Sequence, residues 1–449
     1  MNADFSLCSD LKQKIQQRSA RILTIGLGYV GLPLALTISE TGFPVIGLDI
    51  NKSRVSKINS GQRVISYFSE SRISDAIASG GFTATSDPSE ISHANIVLIC
   101  VPSPLSPTRE PDLSYVIKAA EYVAAWIKPG QLIVVESTVW PGATAEVVKP
   151  ILEQRGLLAG KDFFLGFSPE REDPGNETHT TRNIPKIIGA DDAHSRDLLD
   201  AFYSQIVSQA VPVSSCATAE AVKLVENSFR TVNIALVNEL KVALGAMGID
   251  VWEVIEAAAT KPFGYMPFYP GPGIGGDCIP VSPVYMSWRA RDVGASVPII
   301  DLARFSNDAA PDALAGRIAS DLLARSAVPI QGANLLVLGI SYKRDIEDTR
   351  ESPALAILDR LEAMGAICDY HDPYFPVIPK TRDHPSLSGR RSIPLTECAL
   401  REYDSVIVTT DHSMVDYSLV AQFSHLIFDT RNVFHKRGIV VDGIRLVKI

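Results

Sequence analysis

Short and almost continuously apolar runs alternate with helical stretches in the first part of the chain. Such runs, bounded by turn residues, are typical of parallel strands that helices cover on both faces. The runs of the first half are Arg21–Ile25, Pro44–Asp49, Ile96–Val101 and Leu132–Glu136. This alternation predicts an α/β fold with a doubly wound sheet.

The middle of the chain has a different pattern. From Thr218 to about Gly248 no proline occurs, and apolar residues recur at helical spacing, which predicts one long helix. Further helices are expected at Glu253–Thr260 and within Pro298–Ser326, whereas proline and glycine make Lys261–Pro283 a long ordered loop. The apolar positions of the long helix are Val222, Val225, Phe229, Val232, Leu236, Leu240 and Leu244.

The strand–helix alternation returns after Pro329, which predicts a second, smaller α/β domain. We therefore expect two Rossmann-like doubly wound domains joined by a long helix in a central helical domain. That helix has an apolar stripe long enough to need a partner, so homodimerisation is expected. The predicted strands are Asn334–Gly339, Ile367–Tyr370, Ser405–Val408 and Leu426–Asp429.

Composition excludes several classes of protein. A chain of 449 residues predicts two or three domains, and the net charge of −9 argues against a nucleic-acid surface. The N-terminal segment does not resemble a signal peptide, and no apolar run is long enough to span a membrane. Six widely spaced cysteines indicate neither disulfides nor zinc, so we expect a soluble cytoplasmic protein without a metal.

A glycine-rich turn follows the first predicted strand and opens a helix. In Gly26-Leu-Gly28-Tyr-Val-Gly31, the first glycine permits the tight turn, the second lets the backbone approach a pyrophosphate, and the third permits close helix–strand packing. Asp49 ends the next strand, where its carboxylate would bind ribose hydroxyls and repel a 2′-phosphate. The pattern favours NAD over NADP; the alternative is a turn that binds nothing.

Two further features carry chemistry. Lys223 and Asn227 stand four residues apart on one helix face, where a cation and an amide suit an alkoxide or oxyanion, although a solvated pair is the commoner arrangement. Cys278 follows the glycine-rich run 270–276, which lets backbone and substrate come close. A lone cysteine is usually a core residue, but this setting favours a nucleophile, which Lys223 would activate and Asp277 would oppose.

Together these motifs resemble the UDP-glucose/GDP-mannose dehydrogenase family over nearly the whole chain. The loops at 167–175 and 261–273 look most like the UDP-N-acetylglucosamine 6-dehydrogenase branch. The motifs that carry the resemblance are Gly26–Gly31, Ser137-Thr138, Ser168–Arg171, Lys223-x-x-x-Asn227, Gly275–Cys278, Tyr342–Asp345 and Asp348–Ser352.

The resemblance implies three domains, namely an NAD domain at 1–213, a helical dimerisation domain at 214–328 and a UDP-sugar domain at 329–449. It implies oxidation of a C6 alcohol to a carboxylate with two NAD and one water, for surface polysaccharide synthesis. Cys278 would form a thiohemiacetal and then a thioester, which water hydrolyses. Lys223 and Asn227 would stabilise the oxyanions.

The resemblance also implies roles for individual residues inside and outside these motifs. Catalytic roles would fall to Cys278, Lys223, Asn227, Glu170, Thr138 and Asp277. The cofactor would contact Gly26, Gly28, Tyr29, Val30, Gly31, Asp49, Arg54, Pro102, Ser137, Thr138 and Arg350. The UDP-sugar would contact Glu170, Arg171, Lys223, Asn227, Arg230, Phe263, Tyr265, Tyr269, Gly273 and Lys343. For Arg230, an ion pair with Glu226 is an equal expectation.

Two positions depart from the family pattern. The residue before the nucleophile is commonly Ser or His but is Asp277 here, and the family's Asp four residues beyond the cysteine is Ser282. Either the carboxylate has moved to position 277, or the enzyme is slower or altered in hydrolysis.

The alternatives on substrate are UDP-N-acetylmannosamine, UDP-N-acetylgalactosamine and UDP-glucose. The alternatives on chemistry are a two-electron β-hydroxyacid dehydrogenase and a catalytically silent NAD-binding scaffold. The first needs neither Cys278 nor a second α/β domain, and the second needs neither Lys223 nor Asn227.

Overall fold

Eight strands form the sheet of the first of two units in the computed structural model. The model describes residues 3–65, 70–172, 178–276, 278–381 and 383–449. Unit 1 comprises Met1–Glu226 and Val284–Ser296, and unit 2 comprises Asn227–Pro283 and Val297–Ile449. The strands of unit 1 are β1 (Ile22–Ile25), β2 (Val45–Leu48), β3 (Phe82–Thr85), β4 (Ile96–Ile99), β5 (Leu132–Val135), β6 (Phe164–Phe167), β7 (Lys186–Gly189) and β8 (Ala210–Val213).

The sheet of unit 1 has the order β3-β2-β1-β4-β5-β6-β7-β8. Neighbouring strands are parallel except β6 and β7. Every residue of β1, β4 and β5 is buried, as expected for strands with helices on both faces. The accompanying helices are α1 (Ala3–Gln16), α2 (Gly31–Glu40), α3 (Lys52–Asn59), α4 (Glu70–Ala78), α5 (Ser114–Trp126), α6 (Lys149–Glu153) and α7 (Ala193–Tyr203), with a 3-10 turn at Pro88–His93 and a π turn at Thr144–Val148.

Unit 2 contains a parallel five-stranded sheet with the order β10-β9-β11-β12-β13. Its strands are β9 (Asn334–Leu338), β10 (Ile367–His371), β11 (Ser405–Val408), β12 (Ile427–Asp429) and β13 (Leu446–Lys448). The remaining helices of the chain are α8 (Cys216–Ala246), α9 (Val251–Ala259), α10 (Ser282–Asp292), α11 (Pro298–Ser326), α12 (Pro353–Ala363), α13 (Glu397–Glu402), α14 (Tyr417–Phe423) and α15 (Val433–Lys436), with a 3-10 turn at Pro385–Leu387.

Both sheets place a crevice at the point where the strand order reverses. In unit 1 that point lies between β1 and β4, and in unit 2 it lies between β9 and β11. Open α/β sheets bind ligands outside the carboxyl ends of the strands at such a point. The predicted fold class is confirmed. The strands that the sequence predicts, four in each unit, are present as β1, β2, β4, β5, β9, β10, β11 and β12, and the predicted long helix is α8. Strands β3, β6, β7, β8 and β13 were not predicted.

Among the described residues, no helix is both long enough and apolar enough to cross a membrane. No group of three or more histidines, cysteines and acidic residues in these ranges is arranged to hold a metal ion. Residues Ser66–Ser69, 173–177 and Arg382 lie outside the described ranges, as does the predicted site residue Asp277.

Candidate active site

The glycine-rich turn after β1 lies at the crevice of unit 1. Gly26 has a φ of +92°, and a Cβ there would lie 2.5 Å from the carbonyl oxygen of Cys100, at the end of β4. A Cβ on Gly31 would lie 1.9 Å from the Gly26 carbonyl oxygen, so only glycine lets α2 start so close to β1. Gly28 has no atom within 4 Å of its would-be Cβ. The backbone there is open to a phosphate.

Asp49 provides a fixed carboxylate at the end of β2. It is 6% exposed, and its Oδ2 and Oδ1 accept hydrogen bonds from the backbone N–H groups of Leu27 (2.9 Å) and Asn51 (2.8 Å). Arg54 Nη1 lies 3.0 Å from Oδ2. The Asp49 carboxylate at this corner would repel a 2′-phosphate, and Arg54 is paired with it. With the open turn at Gly28, these residues fit NAD.

The other predicted cofactor residues lie at the start of α2 and after β4 and β5. Tyr29 and Val30 are half-buried beside the turn, and Pro102 is exposed. The Ser137 hydroxyl accepts a hydrogen bond from the Val101 N–H (2.9 Å) and donates one to the Val101 carbonyl (2.8 Å). Ser137 therefore fastens the loop after β4. The following residue, Thr138, is half-buried.

Glu170 and Lys223 meet at the end of α8 that belongs to unit 1. Lys223 is 8% exposed, and its Nζ donates a hydrogen bond to the backbone carbonyl of Glu170. The Glu170 carboxylate accepts hydrogen bonds on Oε1 from the N–H groups of Arg171 (2.7 Å) and Glu172 (2.6 Å). Burial raises the pKa of Glu170, but Lys186 and these amides outweigh it, so the net pKa is lowered. Glu170 is thus held in its charged form.

The expected ion pair between Glu226 and Arg230 is not present. Glu226 pairs with Arg171 at 2.5 Å, and Arg171 also donates to the Pro185 carbonyl at 2.6 Å. These contacts occupy Arg171, which was predicted to contact substrate. Arg230 is exposed on α8.

Cys278 lies in unit 2 and is exposed. A Cβ on Gly275 would lie 2.5 Å from Tyr342 Cβ, and Gly276, with a φ of +84°, donates its N–H to the Arg350 carbonyl at 2.9 Å. The glycine run therefore passes directly against the segment after β9. The Cys278 carbonyl accepts a hydrogen bond from the Ser282 N–H at 3.0 Å, in the turn that begins α10.

Helices α8 and α11 hold the segment after Cys278 in unit 2. Asn227 Nδ2 donates to Ser282 Oγ at 2.8 Å, and both side chains are buried. Thr231 Oγ1 donates to the Ile279 carbonyl at 3.2 Å, and Asn307 on α11 donates to the Thr231 carbonyl at 3.0 Å. The loop that carries Cys278 is thereby tied to α8 on the face that carries Asn227.

The proline- and glycine-rich loop exposes some aromatic side chains and anchors others. Phe263 and Tyr265 are 70% and 39% exposed. The ring of Tyr269 stacks on Trp252 at 5.5 Å, and Lys436 Nζ lies over both rings. Four residues later, Gly273 has a φ of +143°, and a Cβ there would press on Pro353 at 3.0 Å.

Arg431 contacts this loop, and it was not predicted from the sequence. Gly271 donates its N–H to Asn238 Oδ1 at 3.0 Å, and a Cβ on Gly271 would lie 2.9 Å from Arg431 Nη1. Arg431 follows β12 and donates its Nε to the Thr409 carbonyl at 2.8 Å, at the crevice of unit 2. Burial, with Arg317 and Arg431 nearby, lowers the pKa of Lys241 to about 8. We call Lys241, Arg317 and Arg431 the cation cluster.

The two predicted residues from the last domain lie in the segment after β9. Lys343 is half-buried. Arg350 is held by Asp348, since its Nε and Nη2 donate to the carboxylate at 3.0 Å and 2.6 Å. Its guanidinium is thus positioned, with 38% of the side chain exposed.

Comparison with known proteins assigns the chain to a family. Three domain models of the UDP-glucose/GDP-mannose dehydrogenase family match this chain. The NAD binding domain matches residues 20–207, the central domain residues 217–309 and the UDP binding domain residues 336–436. The chain belongs to the UDP-glucose/GDP-mannose dehydrogenase family. This dehydrogenase is therefore an oxidoreductase that uses NAD and acts on UDP-sugars.

Individual relatives of the dehydrogenase act on N-acetylated sugars according to their names. It is 32% identical to UDP-N-acetyl-D-glucosamine 6-dehydrogenase of Salmonella typhi, covering 92% of this chain and 96% of the relative. It is 34% identical to the Pseudomonas aeruginosa enzyme of the same name, covering 80% and 83%. The solved structure of UDP-D-ManNAc dehydrogenase from Pyrococcus horikoshii is 31% identical, with a TM-score of 0.84 over 95% of this chain and 98% of that one.

Proposed function

We propose that this dehydrogenase oxidises the C6 alcohol of UDP-N-acetylglucosamine to the uronate through a covalent intermediate on Cys278, as a precursor for a surface polysaccharide. The exposure of Cys278 carries the proposal. Cys8, Cys100, Cys216 and Cys368 are buried. Cys398 is exposed, but its Sγ lies 3.8 Å from the Glu402 carboxylate, which disfavours a thiolate.

Gly26–Gly31 and Asp49 would hold NAD, and two NAD molecules used in succession would each accept one of the two hydrides that leave C6. Lys223 and Asn227 are proposed to stabilise the developing oxyanions, because both are buried on α8 one helical turn apart. The Cys278 thiolate adds to the aldehyde and gives a thiohemiacetal, whose oxidation gives a thioester. Glu170 acts as the base that removes a proton from the hydrolytic water, with Thr138 assisting.

The proposed role of Asn227 agrees with its hydrogen bond to Ser282. A side-chain amide nitrogen carries two hydrogens, so one remains after the bond to Ser282 Oγ. That second hydrogen is the donor that we assign to the oxyanion. Asp277, for which a part in thiolate tuning was predicted, keeps that role as a proposal.

We assign the cation cluster to the diphosphate of the UDP-sugar. Arg431 lies against Gly271 of the loop 261–273, and Arg431 and Arg317 both act on Lys241. Arg317 also pairs with Asp321 at 3.4 Å. A diphosphate carries the opposite charge, and arginine binds phosphate oxygens in pairs. Phe263, Tyr265, Tyr269 and Gly273 would then enclose the nucleotide and sugar, with Lys343 from the segment after β9.

The choice of UDP-N-acetylglucosamine is supported by two relatives that bear that substrate in their names. UDP-N-acetylmannosamine is the next candidate, because the Pyrococcus structure is named for that sugar. UDP-N-acetylgalactosamine and UDP-glucose complete the panel that we would assay.

We further propose that the dehydrogenase is a cytoplasmic homodimer. All six of its cysteines are free thiols, as expected in a reducing compartment. Large apolar side chains stand exposed along α8 and at the start of α11, and exposed apolar side chains in number are typical of protein–protein contacts. In unit 2 they include Phe229, Leu236, Leu240, Ile299, Leu302 and Phe305. The three-domain division near residues 213 and 329 also remains a proposal.

Counting NADH per sugar tests the proposed chemistry. Limiting amounts of each UDP-sugar are incubated with excess NAD, and NADH and uronate are measured at completion. Two NADH and one uronate per UDP-N-acetylglucosamine support the proposal. One NADH per sugar would support a two-electron dehydrogenase, and no NADH with any sugar would support the catalytically silent scaffold. Either result would overturn the proposed four-electron oxidation.

A further inference from the structure

A buried lysine in unit 1 lies between two glutamates, of which only Glu170 has a direct role in the proposed reaction. Lys186, the first residue of β7, is 4% exposed, and its Nζ lies 2.7 Å from Glu136 Oε2 and 3.5 Å from Glu170 Oε2. The same Nζ donates to the Pro169 carbonyl at 3.3 Å. All three N–H directions of the ammonium therefore have an acceptor.

Glu136 is too enclosed to meet a substrate. It is 2% exposed, its Oε2 accepts from Lys186, and its Oε1 accepts a hydrogen bond from the Tyr203 hydroxyl. Lys186 also lies 5.4 Å from the centre of the Tyr203 ring. Both carboxylate oxygens of Glu136 already accept a hydrogen bond. Glu136 can therefore affect the reaction only by holding Lys186 in place.

Glu170, in contrast, keeps access to its surroundings. Its side chain is 13% exposed, and Oε2 is shared with Lys186 alone among the hydrogen bonds that the structure gives. Its Oε1 is held by two backbone amides, so the orientation of the carboxylate is set from both sides. This is the arrangement that a base requires, namely one fixed oxygen and one that can reach a water.

The charges around Glu170 balance only when Lys186 is present. Two carboxylates, Glu136 and Glu170, face two cations, Lys186 and Lys223, the latter through the Glu170 carbonyl. The other titratable groups that act on this cluster are Cys100, Glu172 and Tyr203, and burial raises the pKa of all three. Burial already raises the pKa of Glu136. Without Lys186, both carboxylates would lose the cation that favours their charged forms, so the pKa of Glu170 would rise.

We propose that Lys186, held in place by Glu136 and Tyr203, is a positioning residue that keeps Glu170 ionised and aimed for its role as the base. This inference rests on the proposed function, because it needs Glu170 to act on a water. Lys186 itself touches neither substrate nor cofactor in this assignment. It acts through the contact with Glu170 Oε2.

The pH profile of turnover tests this proposal with four variants and the full-length protein. In the wild type, kcat decreases toward low pH as Glu170 takes up a proton, and we call this decrease the acid limb. Glu170→Gln should abolish the acid limb and lower kcat by about 100-fold or more. Lys186→Met removes the cation, so the acid limb moves to higher pH by at least about one unit. Lys186→Arg keeps the charge and leaves the limb near its wild-type position.

Glu136→Gln supplies a second test that keeps Lys186 and its hydrogen bonds in place. Without the Glu136 charge, Lys186 interacts with Glu170 as its only carboxylate partner. The pKa of Glu170 should therefore stay the same or fall, and the acid limb should stay in place or move to lower pH. Thermal melting and NAD binding show whether Lys186→Met folds. If it does not, the pH profiles of kcat for Glu136→Gln and Lys186→Arg test the role of Lys186. A limb that moves to higher pH in Glu136→Gln would overturn the proposal.

The remaining outcomes separate this inference from the proposed function. An unmoved acid limb in a folded Lys186→Met variant, or equal movement in Lys186→Arg and Lys186→Met, contradicts the role of Lys186 while leaving the function standing. A wild-type protein that produces no NADH with any UDP-sugar of the panel contradicts the function instead.

Discussion

The amide of Asn227 donates a hydrogen bond of 2.8 Å to the hydroxyl of Ser282, and neither side chain is more than 4% exposed. Ser282 stands four residues beyond Cys278, where the family resemblance leads one to expect an aspartate. Its hydroxyl therefore serves as the acceptor that orients Asn227 in this protein.

Replacing Ser282 by Ala should lower kcat more than it changes KM. The Asn227 amide would lose its acceptor in a buried place, which costs about 1–3 kcal/mol of stability and frees the amide to turn. We expect roughly a tenfold loss of kcat. Ser282→Thr keeps a hydroxyl at the same position and should restore most of the rate. Steady-state kinetics and thermal melting of both variants make the comparison, and an equal loss in Ser282→Thr would contradict the assignment.

Binding of UDP should weaken as the pH rises above about 8, because Lys241 has a pKa of about 8 in the free protein. A bound diphosphate favours the charged ammonium of Lys241, so UDP binding near that pH is accompanied by proton uptake. At higher pH, where Lys241 is neutral, the affinity for UDP should be lower. Titration calorimetry with UDP in buffers of different ionisation enthalpy measures both effects.

Two variants of Lys241 control that measurement. Lys241→Arg stays charged throughout and should flatten the pH dependence while keeping the affinity. Lys241→Gln should weaken UDP by about tenfold and also remove the dependence. Proton uptake that persists unchanged in Lys241→Gln would place the titrating group elsewhere.

Asp49 should set the preference for NAD over NADP. Asp49→Ala removes the carboxylate that is proposed to bind the ribose and leaves Arg54 without its partner at 3.0 Å. The ratio of kcat/KM for the two cofactors should fall by about tenfold or more, since a hydrogen bond to a charged group is worth about 1.5–3 kcal/mol. Asp162→Ala, in the loop before β6, serves as the acidic control and should leave the ratio unchanged. An unaltered ratio in Asp49→Ala would contradict the assignment.

The exposed apolar surface of α11 should be part of the dimer interface. Phe305 is 70% exposed, and a charge at this position would be buried in a dimer at a cost of several kcal/mol. Phe305→Asp should therefore yield monomers in light scattering after size-exclusion chromatography. Leu158→Asp, at a 48% exposed position of unit 1, should remain dimeric. Wild-type monomers, or a dimeric Phe305→Asp variant, would argue against this interface.

Local pattern was sufficient to predict most of the fold. The apolar runs at Ile96–Val101 and Leu132–Glu136 became β4 and β5, and the helical spacing from Thr218 became α8. Helix α10 went unpredicted because Pro283 looked like a break. Proline is tolerated in the first turn of a helix, and Pro283 lies there.

The site was harder to predict because its buried partners are distant in sequence. Lys186 and Glu136 are 50 residues apart, and Glu136 and Tyr203 are 67 apart. A single sequence carries no signal for such pairs, although a lysine that opens an apolar strand was an available hint. Arg431 was also within reach of a simple rule, since it follows β12 at the carboxyl edge where parallel sheets bind ligands.

The most direct test of the proposed mechanism is uronate formation by Cys278→Ala, with NAD binding measured on the same sample. We expect uronate formation to fall by at least about 1,000-fold while NAD affinity is retained, because the thioester cannot form without the thiol. Cys398→Ala, at the other exposed cysteine, should turn over like the wild type. Uronate production at an undiminished rate in Cys278→Ala would contradict the account.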